Sequence, residues 1–246
     1  EELFGPGQPL DINRYFVILP DNIGHGGSSK PSDGLRMAFP KYDYADMVSA
    51  QHRLVTDTLG IKNLQLILGT SMGCMHAFVW GTTYPGVAKR LAPFACNAME
   101  IAGRNRVWRK LSIDAIKSDP AWNGGNYISQ PEAGLRTSTS LSLIASMNPV
   151  AAQKDNPTRA ATESWLENAF PTRGGTDAND VIYQMDSSRT YNPEPFLHKI
   201  TVPVLWVNSA DDFINPPELG TAEKAAKRMK KAKFILIPAS PESKGH

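Results

Sequence analysis

This sequence has little cysteine and no long apolar run. Two cysteines in 246 residues, Cys74 and Cys96, are too few for a disulfide framework or a cysteine-based metal cluster. Because both lie in apolar stretches, we expect two buried free thiols. The longest apolar runs, such as Phe16–Leu19 and Leu64–Leu68, are far shorter than the roughly 20 residues that a membrane-spanning helix needs. The sequence therefore predicts neither a disulfide-stabilised fold nor a membrane span.

An excess of charge of one sign is also lacking. The chain has 26 Lys and Arg against 24 Asp and Glu, a formal net charge of +2, so no nucleic-acid partner is indicated. The basic run Lys224–Lys233 is best explained as the solvated face of a helix. No cofactor or metal motif is visible, and we expect neither. Because the chain shows no initiator Met and no signal segment, its compartment stays open.

What the sequence does contain is the alternation of an α/β protein. Five short, almost continuously apolar runs are typical of buried strands in a parallel sheet whose two faces are covered by helices. These runs are Tyr15–Pro20, Leu64–Leu68, Leu91–Ala95, Val202–Val207 and Phe234–Ile237. Helical patterns lie between or after them at Asp43–Leu59, Met72–Tyr84 and Pro217–Lys231. This order predicts a doubly wound, mostly parallel α/β sheet.

The stretch 103–195 interrupts this alternation and predicts a helical cap inserted over the carboxyl edge of the sheet. Its helix-compatible segments are Val107–Lys117, Gly134–Met147 and Arg159–Ala169. The core then consists of two parts, 1–102 and 196–246. Within the cap, we predict that Arg109 and Trp122 bind substrate, as a cation for an acceptor carboxylate and as an aromatic wall. The other candidate cations are Arg104, Arg106 and Arg136, and the other candidate wall residues are Trp108 and Trp165.

The strongest functional motif is Gly69-Thr70-Ser71-Met72-Gly73. A Gly-x-Ser-x-Gly alone is a weak signal, but this one directly follows the predicted strand Leu64–Leu68 and begins the predicted helix Met72–Tyr84. In that strand–turn–helix setting a serine hydroxyl is exposed as a nucleophile. The glycines fit the same hypothesis, because the turn is expected to be too tight for side chains on either side of the serine. We therefore predict Ser71 as a catalytic nucleophile.

A serine nucleophile needs a base, and five histidines are available for that role. They are His25, His52, His76, His198 and His246. Enzymes with this type of turn carry the nucleophile, the acid and the base in that order, with the acid just past a late strand. Val202–Val207 is such a strand, and Asp211 and Asp212 follow it. Only His246 lies beyond them, so chain order selects it as the base, whereas both aspartates stay open as the acid.

Segments spread over nearly the whole chain form a recognisable pattern. They are Phe4–Asp11, Pro20–Ser29, Asp46–Gln51, Ser71–Gly73, Asp119–Tyr127, Asp212 and Pro216–Glu218. The pattern resembles the α/β-hydrolases, and within them the homoserine O-acetyltransferase branch. The resemblance implies Ser71 as nucleophile, His246 as base and a cap over the site. It favours Asp212 as the orienting acid, because the family's acid stands four residues before a proline; Asp211 is the alternative.

One part of the cap differs from the acetyltransferases of that branch. Those enzymes usually follow a Gly-Leu with Arg-Met and then with a Thr-Tyr pair that lines the acceptor pocket. Here Gly134-Leu135 is followed by Arg136-Thr137, and the stretch up to Asn148 holds no Thr-Tyr pair. We therefore expect water as the acceptor. The predicted function is a serine hydrolase that cleaves a carboxylic ester, or a similar acyl compound, through an acyl-serine, with the Met72 amide in the oxyanion hole.

Two other functions stay open. An acyl-CoA-dependent O-acyltransferase would form the same acyl-serine, and a non-catalytic binding protein could keep the fold without the activity. The expected partner is a small acyl substrate. An acyl-CoA donor and a homodimer are kept as open expectations.

The resemblance implies about three further strands before Tyr15–Pro20, which residues 1–14 cannot supply. A loop after one of those strands normally completes the oxyanion hole, so Met72 is the one donor that the sequence names. With these N-terminal strands missing from the sequence, we expect an open sheet edge with unpaired backbone groups.

Overall fold

Four parallel strands form the sheet in the computed structural model, which describes residues 3–169, 176–243 and 245–246. In both chain order and spatial order the strands are β1 Ile67–Thr70, β2 Leu91–Phe94, β3 Val204–Ser209 and β4 Ala232–Ile237. Each neighbouring pair is parallel, so the carboxyl ends of all four strands lie at one edge. In open α/β sheets that edge is where ligands bind.

Eight α-helices lie within the described residues. They are α1 Tyr44–Arg53, α2 Met72–Thr83, α3 Gly103–Ser118, α4 Glu132–Ser146, α5 Pro149–Asp155, α6 Arg159–Ala169, α7 Ala178–Asp186 and α8 Thr221–Ala226. A π-helical turn, Leu54–Thr58, extends α1. Short 3-10 turns lie at Pro31–Asp33, Arg36–Ala38, Pro120–Gly125, Glu194–Lys199 and Pro217–Leu219. None of the helices described is long and apolar enough to cross a membrane.

The sequence explains where several helices begin. The Asp43 carboxylate accepts hydrogen bonds from the backbone N–H groups of Ala45 and Asp46 and so caps α1. The side chains of Asn148 and Asp177 cap α5 and α7 in the same way. These oxygens satisfy backbone donors that have no acceptor inside the first helical turn.

Two apolar clusters hold these elements together. The larger cluster packs helices against the sheet and contains the fully buried Trp206, Phe78 and Leu197. Phe78 and Trp206 meet edge to face, with ring centroids 4.9 Å apart. The smaller cluster lies within 103–195 and contains Ile116 and Ile182. The helices between β2 and β3 therefore have an apolar core of their own.

Buried polar groups support this second core. The amide nitrogen Nδ2 of Asn179 donates to the Gly125 carbonyl over 3.0 Å, and its Oδ1 accepts from the Trp122 indole over 3.0 Å. α3 to α7 thus form a helical insertion of the predicted kind, although the boundaries 1–102, 103–195 and 196–246 stay a prediction. The gap 170–175 lies outside the described residues.

The predicted strand Tyr15–Pro20 does not form. The segment has no strand conformation, and Phe16 and Leu19 are 79% and 77% exposed. A strand is stable only where a neighbouring strand satisfies its backbone groups, and no described segment pairs with this one. The strand prediction for this run was therefore wrong for the part of the chain that the structure describes.

Two further expectations were wrong. Cys74 and Cys96 are joined in a disulfide, although we expected free thiols. The fold brings the first turn of α2 next to the loop after β2, a proximity that a spacing of 22 residues does not reveal. The predicted helix Pro217–Lys231 is broken at Gly220, whose left-handed conformation (φ 58°) separates a 3-10 turn from α8.

Candidate active site

The predicted nucleophile lies in a sharp turn between β1 and α2. Ser71 has φ 52° and ψ −112°, a backbone conformation that non-glycine residues rarely adopt. Its N–H donates to the Phe94 carbonyl at the end of β2 over 2.9 Å, which fixes the turn to the sheet. Strain of this kind persists only where the surrounding structure imposes it, and it is common at functional sites.

The two glycines of the motif play different parts. A Cβ on Gly69 would lie 2.2 Å from the backbone of Gly73, so position 69 admits only glycine without rearrangement. A Cβ on Gly73 would meet nothing within 4 Å. The expectation that both positions are too tight for a side chain therefore holds for Gly69 alone.

The predicted base contacts the predicted nucleophile across 175 residues of sequence. The Nε2 atom of His246 lies 2.6 Å from the Ser71 hydroxyl oxygen, and Nδ1 lies 2.9 Å from Oδ2 of Asp212. The His246 side chain is 12% exposed and that of Asp212 is fully buried. The three side chains form one continuous line of hydrogen bonds at the carboxyl edge of the sheet.

The two adjacent aspartates have separate environments. Oδ1 of Asp212 accepts from the backbone N–H groups of Ile214 and Asn215, over 2.8 and 2.9 Å, and Oδ2 faces His246. Asp211 instead accepts hydrogen bonds from the hydroxyls of Ser209 and Ser243.

Burial alone would raise the pKa of Asp211. The hydrogen bonds from Ser209 and Ser243 outweigh that effect and hold its pKa below the usual value. Asp211 therefore supports the loop that leads to His246, and the structure places Asp212 against the imidazole.

The loop that carries His246 rests on the helical insertion. The His246 N–H donates to the carbonyl of Ser146 at the end of α4, over 3.3 Å. Nδ2 of Asn148 donates to the carbonyls of Ser240 and Ser243, over 3.0 and 2.5 Å. A Cβ on Gly245 would lie 2.9 Å from the Ser146 oxygen, so only glycine allows this close approach.

The predicted oxyanion donor lies at the start of α2. Met72 is the first residue of this helix. Its N–H is one of the four that have no acceptor inside the helix, and it lies at the positive end of the helix dipole. This arrangement suits a negatively charged oxygen next to Ser71.

A cavity of about 980 Å³ opens beside Ser71 and His246. The insertion contributes Trp108, Arg109, Met147 and other residues to its wall, which is mostly apolar. Arg109 is 7% exposed as a whole residue, and its Nε donates to Oδ1 of Asn105 over 2.9 Å. This cation is therefore held in place at the cavity.

Trp122, the second predicted substrate-binding residue, is not among the residues that line this cavity. Its ring packs against the smaller apolar cluster, and its indole donates to Asn179. The structure gives Trp122 a role in the core of the insertion and no contact with the cavity, whereas Trp108 lines it.

The comparison with known families agrees with this architecture. A family profile described as "alpha/beta hydrolase fold" matches residues 6–242. The chain belongs to this family. This α/β-hydrolase is 30% identical over 253 residues to the homoserine O-acetyltransferase of Solidesulfovibrio magneticus, a match that covers 97% of the chain and 60% of that relative.

Solved structures show the same fold. The acetyl esterase MekB superposes with a TM-score of 0.86 at 24% identity, covering 99% of this chain and 74% of that one. Homoserine O-acetyltransferase from Bacillus anthracis superposes with a TM-score of 0.86 at 23% identity, covering 98% and 74%. The predicted fold class and the resemblance to the homoserine O-acetyltransferase branch are thereby confirmed.

The other histidines of this α/β-hydrolase have different surroundings. His52 stacks on Tyr84 with ring centroids 3.9 Å apart. His76 packs edge-on against Tyr44, and burial, with a smaller contribution from His25, lowers the pKa of His76 to about 4. A histidine that stays neutral in an apolar site is a packing residue, and this is the role of His76.

Sequence reasoning missed several polar side chains around the three candidate catalytic residues. Asn215 lies three residues after Asp212 in the loop 210–216 that follows β3, which we call the acid loop. Its nearness to Asp212 could therefore have been noticed from the sequence. Asn97 contacts the site through Asn215, which lies 118 residues away in the sequence. Asn148 contacts it through Ser240, which lies 92 residues away. Nothing in the local sequence marks these two residues. Within the described residues no group of His, Cys, Asp or Glu is placed to hold a metal ion.

Proposed function

We propose that this α/β-hydrolase cleaves a carboxylic ester through an acyl intermediate on Ser71. One observation carries the proposal: the line of hydrogen bonds from Ser71 through His246 to Asp212, with lengths of 2.6 and 2.9 Å. A serine hydroxyl is a weak nucleophile until an adjacent base takes its proton, and this geometry supplies the base and its orienting acid.

Before acylation, the Nδ1–H of His246 donates a hydrogen bond to Asp212 and keeps its proton, so that the unprotonated Nε2 can accept the Ser71 proton. The serine oxygen attacks the ester carbonyl, and the oxyanion that forms lies near the Met72 N–H. The buried carboxylate stabilises the imidazolium. His246 then returns the proton to the departing alkoxide, so that an alcohol leaves and the acyl group stays on Ser71.

In the second step, a water molecule takes the place of the alcohol. Nε2 of His246 accepts its proton as the oxygen attacks the acyl carbon, and the proton is returned to Ser71 when the carboxylic acid leaves. The cavity beside Ser71 gives the acyl group and the alcohol group room on the same face of the site.

Acyl transfer to an alcohol is the second candidate, because the curated relative named above is called a homoserine O-acetyltransferase. The first half of the reaction would be identical, with acyl-CoA as the donor. A transferase must also hold its acceptor alcohol and keep water away from the acyl-serine. Arg109 would provide the cation for an acceptor carboxylate. Since the chain spans 60% of that relative's length, either activity is a proposal for the whole protein.

The nucleophile is tested by Ser71→Ala in the full-length protein. We expect kcat to fall by up to about 10⁶-fold, as when other serine nucleophiles are removed, and labelling by a fluorophosphonate probe to disappear. Ser118→Ala, at an exposed hydroxyl at the end of α3, is the matched control and should retain both. Turnover or labelling that survives in Ser71→Ala contradicts the proposal, and a wild-type protein without either supports a non-catalytic role.

The acceptor is tested by product partitioning. The full-length protein receives an acyl-CoA with homoserine in one reaction and a short-chain ester alone in another. A hydrolase releases free acid faster than acyl-homoserine in the first reaction and releases free acid from the ester in the second. Acyl-homoserine formed faster than free acid would establish the transferase instead.

A further inference from the structure

A row of polar side chains lies next to Asp212. Its last member, Asn215, also approaches the imidazole, because Nδ2 of Asn215 lies 3.4 Å from Nδ1 of His246. The Thr221 hydroxyl, at the start of α8, donates to Oδ1 of Asn97 over 2.9 Å. Nδ2 of Asn97 donates to Oδ1 of Asn215 over 3.1 Å, and Nδ2 of Asn215 donates to Oδ2 of Asp212 over 2.9 Å. We call Thr221, Asn97 and Asn215 the amide relay.

Each member of the relay fixes the orientation of the next. A side-chain amide has a donor end and an acceptor end, and it can face a carboxylate only with its donor end. Because Thr221 donates to the oxygen of Asn97, the nitrogen of Asn97 faces Asn215. The oxygen of Asn215 is then occupied, and its nitrogen faces Asp212.

The backbone of the relay is held as firmly as its side chains. The Tyr191 hydroxyl donates to the Asn97 carbonyl over 2.8 Å. Burial raises the pKa of Tyr191 well above its usual value, so this hydroxyl remains a donor. The next residue back from Asn97, Cys96, is joined by the disulfide to Cys74 in the first turn of α2. The loop after β2 thus contacts both the nucleophile side and the acid side of the site.

Asp212 depends on this support because it is fully buried. Its Oδ1 receives two backbone N–H groups, and its Oδ2 receives Nδ2 of Asn215 and faces Nδ1 of His246. A buried carboxylate without enough donors is costly and turns towards whatever donor remains. With the Asn215 donor in place, the carboxylate has one orientation, in which Oδ2 is directed at the imidazole.

We propose that Asn215 is a positioning residue for Asp212, and that Asn97 and Thr221 act by fixing the orientation of the Asn215 amide. The proposal rests on the proposed function of the Ser71, His246 and Asp212 line. It assigns the relay to the chemical step: loss of the relay lowers kcat and leaves KM nearly unchanged. These three residues also line the cavity, so substrate binding is the alternative role. In that role, their loss would raise KM and leave kcat nearly unchanged.

The test compares Asn215→Ala with Asn215→Asp in the full-length protein. Asn215→Ala removes the donor, and we expect kcat to fall about 10- to 100-fold, the kinetic equivalent of a lost hydrogen bond to a charged group. Asn215→Asp has nearly the same shape but donates only while its carboxyl is protonated. Two titratable groups face that carboxyl, Asp212 and His246. The Asp212 charge raises the pKa of the new carboxyl, and His246 opposes this effect only while its imidazole is protonated.

The pH profiles distinguish positioning from mere packing. In Asn215→Asp we expect kcat to fall as pH rises through the pKa of the new carboxyl, a descending limb that the wild type and Asn215→Ala lack. A purely structural role would lower kcat equally at every pH. An Asn215→Asp variant without this limb, or an Asn215→Ala variant with wild-type kcat, overturns the proposal.

Variants further along the relay test the orientation argument and do not alter the acid loop. Asn97→Asp can accept from Thr221 but cannot donate to Asn215, so the Asn215 amide turns its oxygen towards Asp212. We expect kcat to fall more in Asn97→Asp than in Asn97→Ala. Thr221→Val should lower kcat, and Thr221→Ser should restore it.

Thr82→Val is the matched control for Thr221→Val, because the buried Thr82 hydroxyl bonds only to carbonyls of its own helix, those of Phe78 and Val79. Far-ultraviolet circular dichroism of each variant shows that it is folded. If Asn215→Ala does not fold, the Asn97 and Thr221 variants carry the test.

Failure of the relay and failure of the proposed function give different results. If Ser71→Ala is inactive and unlabelled while all relay variants equal the wild type, the relay alone is refuted. If Ser71→Ala retains turnover, the proposed function is refuted first.

Discussion

The two sides of the cavity are built differently. On the sheet side, Ser71 and Asp212 lie just past the ends of β1 and β3, where strand pairing fixes the backbone. On the cap side, His246 lies on a loop whose contacts with Ser146 and Asn148 tie it to the helical insertion. Ser71 and Asp212 are therefore positioned by the sheet, whereas the position of His246 also depends on the insertion.

The cores of these two sides differ as well. The sheet side buries large side chains in contact with one another, as Phe78 and Trp206 show. The insertion buries a smaller apolar cluster around Ile116 and supplements it with the hydrogen bonds of Asn179. We expect the insertion to open locally at a lower free energy than the sheet, because it has fewer buried apolar contacts.

After Ser71→Ala, the next largest effect should also come from the sheet side, at Asp212. Asp212→Asn should lower kcat about 10⁴-fold, because the amide no longer stabilises the required tautomer of His246. Asp211→Asn keeps an acceptor for only one of the two hydroxyls of Ser209 and Ser243, which bond to different oxygens of Asp211. Because neither hydroxyl contacts His246 in these hydrogen bonds, we expect a loss of about tenfold or less. Steady-state kinetics of both variants decide the matter. Equal losses, or a larger loss in Asp211→Asn, would reverse the assignment of the acid.

The cores are compared by Trp206→Ala and Ile116→Ala. Trp206→Ala should lower the free energy of unfolding by about 3–5 kcal/mol, and Ile116→Ala by about 2–4 kcal/mol, both by loss of packing. Hydrogen exchange separates them: Trp206→Ala should accelerate exchange in the strands and in α2, whereas Ile116→Ala should accelerate it mainly in α3 and α7. Equal acceleration everywhere in Ile116→Ala would show that the two cores unfold as one unit.

The smallest effect should come from the cap side, at the support of the base. Asn148→Asp keeps the N-cap oxygen of α5 but loses the donor to the carbonyls of Ser240 and Ser243. We expect kcat to fall about tenfold, the equivalent of roughly one hydrogen bond. The matched control is Asn168→Asp on α6, where the amide donates to the exposed Ser164 carbonyl of the same helix. A wild-type kcat in Asn148→Asp would show that the insertion does not position His246.

Much of the sheet side was predictable. The apolar runs located four of the strands, and the motif around Ser71 specified the turn between β1 and α2. Both features are local: alternation of element types and the steric demands of a tight turn act within about ten residues. The segment Tyr15–Pro20 shows the limit, because an apolar run becomes a strand only when a partner pairs with it.

The hydrogen bonds and the disulfide that hold the candidate site in place were not predictable, because they join residues that are distant in sequence. Asn97 and Asn215, and Asn148 and Ser240, are ordinary polar residues until the fold brings them together. The disulfide between Cys74 and Cys96 is of the same kind. Hydrogen bonds and a disulfide need specific distances and angles, which composition and spacing do not contain.

The sequence by itself determined the class of fold, the strand–turn–helix that carries Ser71 and the candidate acid and base in chain order. The resemblance favoured Asp212 over Asp211, and the tertiary structure showed that Asp212 faces His246, which amide donates to it and which residues of the insertion reach the cavity. The physical reason is the separation along the chain between the residues that interact. Helix caps, apolar periodicity and tight turns are set by neighbours along the chain, whereas the orientation of a buried carboxylate is set by donors that meet it only after folding.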